Sequence, residues 1–297
     1  MVPKGWRVKY LHRRKLFFLH VPKCAGMSLR SALTIPGETD FGPLADDLGL
    51  SPEEAERVTE RGNGFDHPVL GRIHPAHLPL AAIRSELPRT WRALSEARPF
   101  AVVRAPRDRF VSALMQRLKE FRDAGAISAD DPLVRREASA VCDWLSARDR
   151  FTDIEFVHFT RQVDYVDTPD GTRLCTVFPV EDMRALVDWI EAESGLTIEV
   201  AHTHSRRQPT RWSKSLQPAA RFVGRRLLPR PVKAALHPLW MNSAAFTDAA
   251  QSYRDVDFGP DVEAFIADYY AADARLHSEA LRRRPTPAAT ARASVQT

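Results

Sequence analysis

Leu16-Phe17-Phe18-Leu19-His20-Val21-Pro22-Lys23-Cys24-Ala25-Gly26-Met27-Ser28-Leu29-Arg30 is the stretch on which the reading of this chain turns. Leu16 to Val21 is a nearly continuous apolar run, as expected of a strand buried on both faces of a parallel sheet. Pro22 to Gly26 breaks that run, and the residues that follow suit a helix. A buried strand, a tight loop carrying a lysine and a helix start bring backbone N–H groups and an ammonium group around one small volume. Such a volume suits a phosphate or a sulfate. Pro22, Lys23, Cys24, Ala25, Gly26, Met27 and Ser28 are the residues that would line it.

A second unit of the same kind follows at Pro99-Phe100-Ala101-Val102-Val103-Arg104-Ala105-Pro106-Arg107-Asp108-Arg109-Phe110-Val111-Ser112. Its apolar strand ends in Arg104, and Ser112 lies eight residues on in a helix expected from about Asp108 to Arg122. Further along, Ser51-Pro52-Glu53-Glu54 is a capping box with proline at the first helical position, and Gly62 ends that helix. Gly71 to Leu80 reads as a loop from its prolines. Asp131-Pro132 opens a helix, Glu155–Phe159 and Leu174–Phe178 read as short strands, and Met183 to Gly195 is a capped helix. Val262, Phe265, Ile266, Tyr269, Asp273 and Leu276 describe one long amphipathic helix. Strands alternating with helices predict an α/β protein with a doubly wound parallel sheet and a ligand at the carboxyl ends of its strands.

The two units together resemble the nucleotide-binding motifs of the carbohydrate sulfotransferase superfamily, which uses the activated sulfate donor PAPS. One branch of that family carries HIPKTAGTS, which stands here as His20-Val21-Pro22-Lys23-Cys24-Ala25-Gly26-Met27-Ser28, with Cys24 and Met27 in place of two threonines. The family's Arg-x-Pro-x-x-Arg-Phe-x-Ser is matched in full from Arg104 to Ser112. Weaker likenesses occur at His77-Leu78-Pro79-Leu80, His158-Phe159-Thr160-Arg161-Gln162 and Val180-Glu181-Asp182-Met183, and in the last long helix. The resemblance implies a nucleotide-kinase-like fold, Lys23 beside the leaving 5′-phosphate, Arg104 and Ser112 on the 3′-phosphate, and no metal. It also implies a histidine base from the segment between the motifs, which makes His77 the first candidate and His74 the second. A sugar hydroxyl is a poor nucleophile near neutral pH, and imidazole is the natural base there. Glu181 matches a family glutamate and is read as structural. His202 and His204 fall in a stretch that contacts donor or acceptor in the family, altered here by Arg206 and Arg207.

Composition narrows the function classes. At 297 residues with 44% hydrophobic content, the chain can bury one large core. We expect one domain over 1–281, with a basic insertion at about 201–247 and a disordered tail at 282–297. No apolar run approaches the roughly 20 residues that cross a bilayer, and no leader pattern opens the chain. Cys24, Cys142 and Cys175 are odd in number and widely spaced, which suggests neither a disulfide framework nor a zinc site. A cytoplasmic protein is expected.

The net charge of +5 is unevenly spread. Nine Lys and Arg residues and no Asp or Glu lie between Ala201 and Thr247, all nine from Arg206 to Lys233, so the remainder is net negative. That segment reads either as a solvated insertion or as a face for an anionic acceptor, a nucleotide or a membrane surface. Few aromatics interleave it, so nucleic acid is not expected. The leading expectation is transfer of a sulfuryl group from PAPS to a hydroxyl of a carbohydrate or glycolipid. A catalytically inactive PAPS-fold module that binds anionic polymers is one alternative. A small-molecule kinase is another, disfavoured because GxxxxGK[ST] is absent.

Overall fold

The computed structural model describes residues 9–35, 37–61, 64–122, 131–149, 151–200 and 256–283, with the backbone of 207–209 and 246–248. The chain divides into two compact units, and the described part of the first falls within 1–125, 133–201 and 258–297. Its sheet has four strands in the order β1 (Lys9–Leu11), β2 (Leu16–Leu19), β5 (Arg98–Val103) and β6 (Thr176–Pro179). The two apolar runs form the strands expected of them. β2 and β5 pair in parallel with Phe18 opposite Phe100, and β5 and β6 pair in parallel with Val103 opposite Pro179. All four side chains of β2, and Phe100 to Val103 of β5, are buried, which explains runs with no polar alternation.

The sheet is mixed, not wholly parallel. β1 runs antiparallel along the outer edge of β2, with only Arg13 and Arg14 between the 3₁₀ residue His12 and the left-handed Lys15 that turns the chain. A separate hairpin pairs β3 (Phe65–His67) with β4 (Gly71–Ile73). Its second strand occupies the start of the stretch expected to be loop, Gly71 to Leu80, and a 3₁₀ turn over Pro75–His77 follows.

The helices are α1 (Gly26–Ala32), α2 (Gly42–Leu48), α3 (Pro52–Arg61), α4 (Leu80–Glu86), α5 (Pro88–Glu96), α6 (Pro106–Phe121), α7 (Pro132–Ser146), α8 (Val163–Val166) and α9 (Met183–Ser194). The Ser51–Glu54 box caps α3 reciprocally, with the Ser51 N–H donating to Glu54 Oε2 and the Glu54 N–H to Ser51 Oγ. Gly195 ends α9 in the left-handed conformation. In the core, Phe18 stacks on Phe100 at 5.3 Å, and Trp189 packs on Phe100 and Phe178 at 5.5 Å each.

Two elements differ from the sequence reading for identifiable reasons. Glu155–Phe159 is not a strand but leads into a 3₁₀ turn over Val157–Phe159. The carbonyls of that turn accept from side chains instead of a neighbouring strand: Val157 from Tyr165, His158 from Arg109 and Phe159 from Tyr270. The long terminal helix is two, α10 (Pro260–Tyr269) and α11 (Ala271–Arg282), interrupted at Tyr270. The interruption coincides with the hydrogen bond from the Tyr270 hydroxyl to Phe159.

The second unit falls within 126–132 and 202–257. Its described backbone includes an antiparallel pair, β7 (Arg207–Pro209) and β8 (Phe246–Asp248). The expectations for His202, His204 and the side chains of Arg206–Lys233, like that for the tail from 284, lie outside the described residues. No helix among the described residues is long and apolar enough to cross a membrane.

Candidate functional site

The carboxyl ends of β2 and β5 stand side by side, because Leu19 pairs with Ala101 in the parallel register. The loops that follow therefore share one edge of the sheet. In the first, Lys23 (φ +67°) and Ala25 (φ +54°) are both left-handed, with Cys24 between them. Left-handed backbone costs a non-glycine residue about 1–2 kcal/mol. Such alternation turns successive N–H groups toward one side, the geometry of an anion cradle. Ala25 is the N-cap residue of α1 and supplies no side-chain cap; Met27 and Ser28 lie in its first turn, which carries no acidic residue.

Gly26 is set by close approach. A Cβ there would lie 1.9 Å from His20 Nε2, so the His20 ring packs directly on the glycine. His20 is in turn wedged against His77, their ring centroids 4.6 Å apart.

Lys23 Nζ donates to Gln116 Oε1 on α6. Gln116 lies one turn beyond Ser112 on the same helix face, and that face is a polar stripe at four-residue spacing. Asp108 pairs with Arg104 at 3.5 Å, Ser112 follows half-buried, Gln116 holds Lys23, and Glu120 accepts from Gln116 at 2.8 Å. The lysine of the first motif thus joins the stripe that carries the arginine and serine of the second.

Beneath this surface lies a buried network that the sequence did not single out. Arg109, inside the second motif, is 2% exposed. It donates to the carbonyls of Pro22, His158 and Thr160 and lies 5.7 Å from the Tyr270 ring. Gln162, fully buried, accepts from the Arg104 N–H at 2.9 Å and from Cys24 Sγ at 3.3 Å, and donates to the Arg104 carbonyl at 2.8 Å. Asp273 of α11, also fully buried, accepts the N–H groups of Gln162 at 2.8 Å and Val163 at 3.1 Å. Burial raises its pKa and the nearby Arg109 guanidinium opposes the rise.

The expected site residues therefore divide. Lys23 bonds Gln116, one turn past Ser112 on α6, and Arg104 pairs with Asp108, one turn before it. Cys24 contributes only its backbone there, because its thiol points inward to Gln162 and burial pushes its pKa up to about 12. The expected bases, His77 at 2% and His74 at 4% exposed, are buried neighbours with ring centroids 4.5 Å apart. His158 also touches His77, at 5.2 Å. His20 lines a cavity bounded by Tyr10, Asp40, Leu44, Leu78 and Thr90. Glu181 pairs with His277 at 3.0 Å. Among the described residues no group of three His, Cys, Asp or Glu side chains is placed to hold a metal. Of the missed residues, His20, Arg109 and Gln162 fell within quoted motifs; Gln116 carried no sequence signal.

No family model, curated protein or solved structure matches this chain.

Gly26→Ala should lose about 1–3 kcal/mol by overpacking, because His77 prevents His20 from retreating. Urea unfolding reads this directly, and an unchanged midpoint would mean the ring moves aside freely. Gln162→Leu strands the N–H and carbonyl of Arg104 and should cost about 2–6 kcal/mol at roughly 1–3 per orphaned group. A loss below about 0.5 kcal/mol in the same assay would show that water replaces the side chain.

Proposed function

We propose that this protein is a PAPS-dependent sulfotransferase acting on a hydroxyl acceptor. The observation that carries the reading is the contact of Lys23 with Gln116 on the α6 stripe, which puts the lysine of one motif beside the Arg104 and Ser112 side of the other. The donor set fits a nucleotide with phosphate at both ends. A left-handed loop with an ammonium group suits the 5′ end, and a guanidinium with a hydroxyl on the next helix suits the 3′ end.

PAPS supplies a sulfuryl group whose S–O bond to the 5′-phosphate breaks as one forms to the acceptor oxygen, leaving PAP. Lys23 neutralises charge that develops on the leaving phosphate, an interaction worth most in the transition state. Its tether to Gln116 gives it a fixed direction before the donor arrives. Arg104 and Ser112 hold the 3′-phosphate and so separate this donor from ATP. The acceptor proton goes to the histidine cluster, with His20 at the cavity and His77 in ring contact behind it. His77 then acts as the positioning partner of His20, and His74 supports His77. The acceptor class expected from the motifs, a carbohydrate or glycolipid, belongs to this proposal.

Calorimetric titration with PAP should give micromolar binding and ATP negligible heat. Arg104→Ala should weaken PAP roughly 10- to 150-fold, as loss of a charge-assisted bond worth about 1.5–3 kcal/mol. Adenosine 5′-phosphosulfate, which lacks the 3′-phosphate, should bind the variant almost as it binds the wild type. Equal losses for both nucleotides, or preference for ATP, would overturn the reading.

His20→Gln and His77→Ala should each lower turnover by roughly 10²–10⁴-fold while PAP affinity stays within about twofold. Full activity in His77→Ala with none in His20→Gln would leave His20 acting alone. Full activity in both would place the base elsewhere.

A further inference from the structure

Gln116 meets two charged partners of opposite sign. Its Oε1 accepts from Lys23 Nζ, and its Nε2 donates to Glu120 Oε1 at 2.8 Å. An ammonium group can only donate and a carboxylate can only accept. The two partners therefore allow the amide a single orientation, with its oxygen toward the lysine. Gln116 is half-buried and Glu120 exposed. Ala113, Leu114, Arg117 and Leu118 are buried, so the helix that carries the amide is anchored in the core.

A second observation ties the same loop to the same helix. Arg109, two turns before Gln116 on α6, reaches the Pro22 carbonyl at 3.5 Å. The loop after β2 is thus held to α6 at two adjacent residues, by backbone at Pro22 and by side chain at Lys23. Lys23 itself is left-handed, φ +67°, a conformation that persists in a non-glycine residue only where its surroundings impose it. The chemistry of the acceptor matters as well as its place. A glutamate at 116 would bind the ammonium more strongly, but it would cancel the charge and set a like charge beside an incoming anion. A neutral amide holds the ammonium and leaves its charge in place.

We propose that Gln116 and Glu120 are positioning residues for Lys23: Glu120 fixes which end of the Gln116 amide faces the lysine, and Gln116 holds the ammonium without neutralising it. The proposal rests on the transferase reading, in which Lys23 stabilises the leaving 5′-phosphate. The leaving oxygen gains most of its charge as the S–O bond breaks, so a fixed ammonium contributes chiefly to turnover and less to the affinity for donor or product. A charge-cancelling partner would instead weaken every bound state. These two effects are separable by substitution at one position.

The test pairs PAP calorimetry with the rate of PAP release from saturating PAPS, octyl glucoside or water serving as acceptor. Gln116→Leu keeps the bulk and loses the acceptor oxygen. It should lower kcat by roughly 10- to 100-fold, the cost of a small misplacement, with PAP affinity within about threefold of wild type. Gln116→Glu keeps the acceptor and loses the neutrality, and should weaken PAP by roughly 10-fold, a loss that added salt reduces. Glu120→Lys offers the amide oxygen a competing donor and turns Nε2 toward Lys23. Its kcat should fall about as far as that of Gln116→Leu although the variant gains a positive charge, and Glu120→Gln, which can still accept, should cost less. Wild-type kcat in Gln116→Leu or Glu120→Lys, or equal losses of kcat and PAP affinity in Gln116→Leu, overturns the positioning role, and PAP binding by the wild type then leaves the transferase reading intact. Undiminished PAP affinity in Gln116→Glu overturns the need for a neutral acceptor. A wild-type chain that does not bind PAP overturns the transferase reading and the positioning role with it.

Discussion

A guanidinium removed from water is tolerated only where fixed acceptors replace the lost hydration. Arg109 meets that condition with three backbone carbonyls, and those carbonyls come from two separated segments of chain, the loop after β2 and the turn before α8. Backbone oxygens cannot swing to follow a side chain, so satisfying Arg109 fixes where both segments lie. Gln162 then joins the second of these to the end of β5, and Asp273 holds Gln162 from α11. The three ends are thus set by one connected polar network inside an otherwise apolar core. Such a network is costly when half satisfied, which makes it strongly specifying when complete. The candidate surface sits on top of it: Arg104 is gripped by its own backbone N–H and C=O, and its side chain is left to reach outward to Asp108.

The same arrangement separates two chemistries that share an edge of the sheet. On the α6 side, polar groups recur every fourth residue from Asp108 through Ser112 and Gln116 to Glu120. On the other side of His20, the walls are apolar and the only formal negative charge is Asp40. His20 lies at the boundary, its Nε2 against Gly26 and its ring against His77. Under the transferase reading proposed above, that boundary would part donor phosphates, which require donors of hydrogen bonds, from a desolvated acceptor.

What could be read in the sequence was whatever depends on neighbours along the chain. β2 and β5 announced themselves because strands buried on both faces need apolar residues at every position, and the Ser51 box and Gly195 are local devices. β1 was hidden because Lys9-Tyr10-Leu11 is too short to show a period and sits in a basic stretch. The 3₁₀ turn at Val157–Phe159 was mistaken for a strand because its three side chains are all buried, while the partners of its carbonyls lie 8 to 111 residues away. Lys23, Arg104 and Ser112 were singled out by motif spacing, and Arg109 stood among them without a distinct signal. His20 owes its meaning to what packs around it, which no local pattern encodes.

Cys24 shows how such context changes the meaning of a motif position. In the sequence the residue stands where the resembling family has threonine, which suggests a lost phosphate ligand. In the fold the side chain faces away from the cradle, with Sγ 3.3 Å from Gln162 Oε1 and 3.6 Å from the Pro22 carbonyl. The position needs a small donor that fits a buried space, and a thiol held protonated by burial meets that need, if more weakly than a hydroxyl. The cradle itself is backbone, shaped by the left-handed Lys23 and Ala25 on either side. Exchange of threonine for cysteine therefore alters the strength of one internal bond to Gln162 and leaves the N–H groups that would meet an anion where they were.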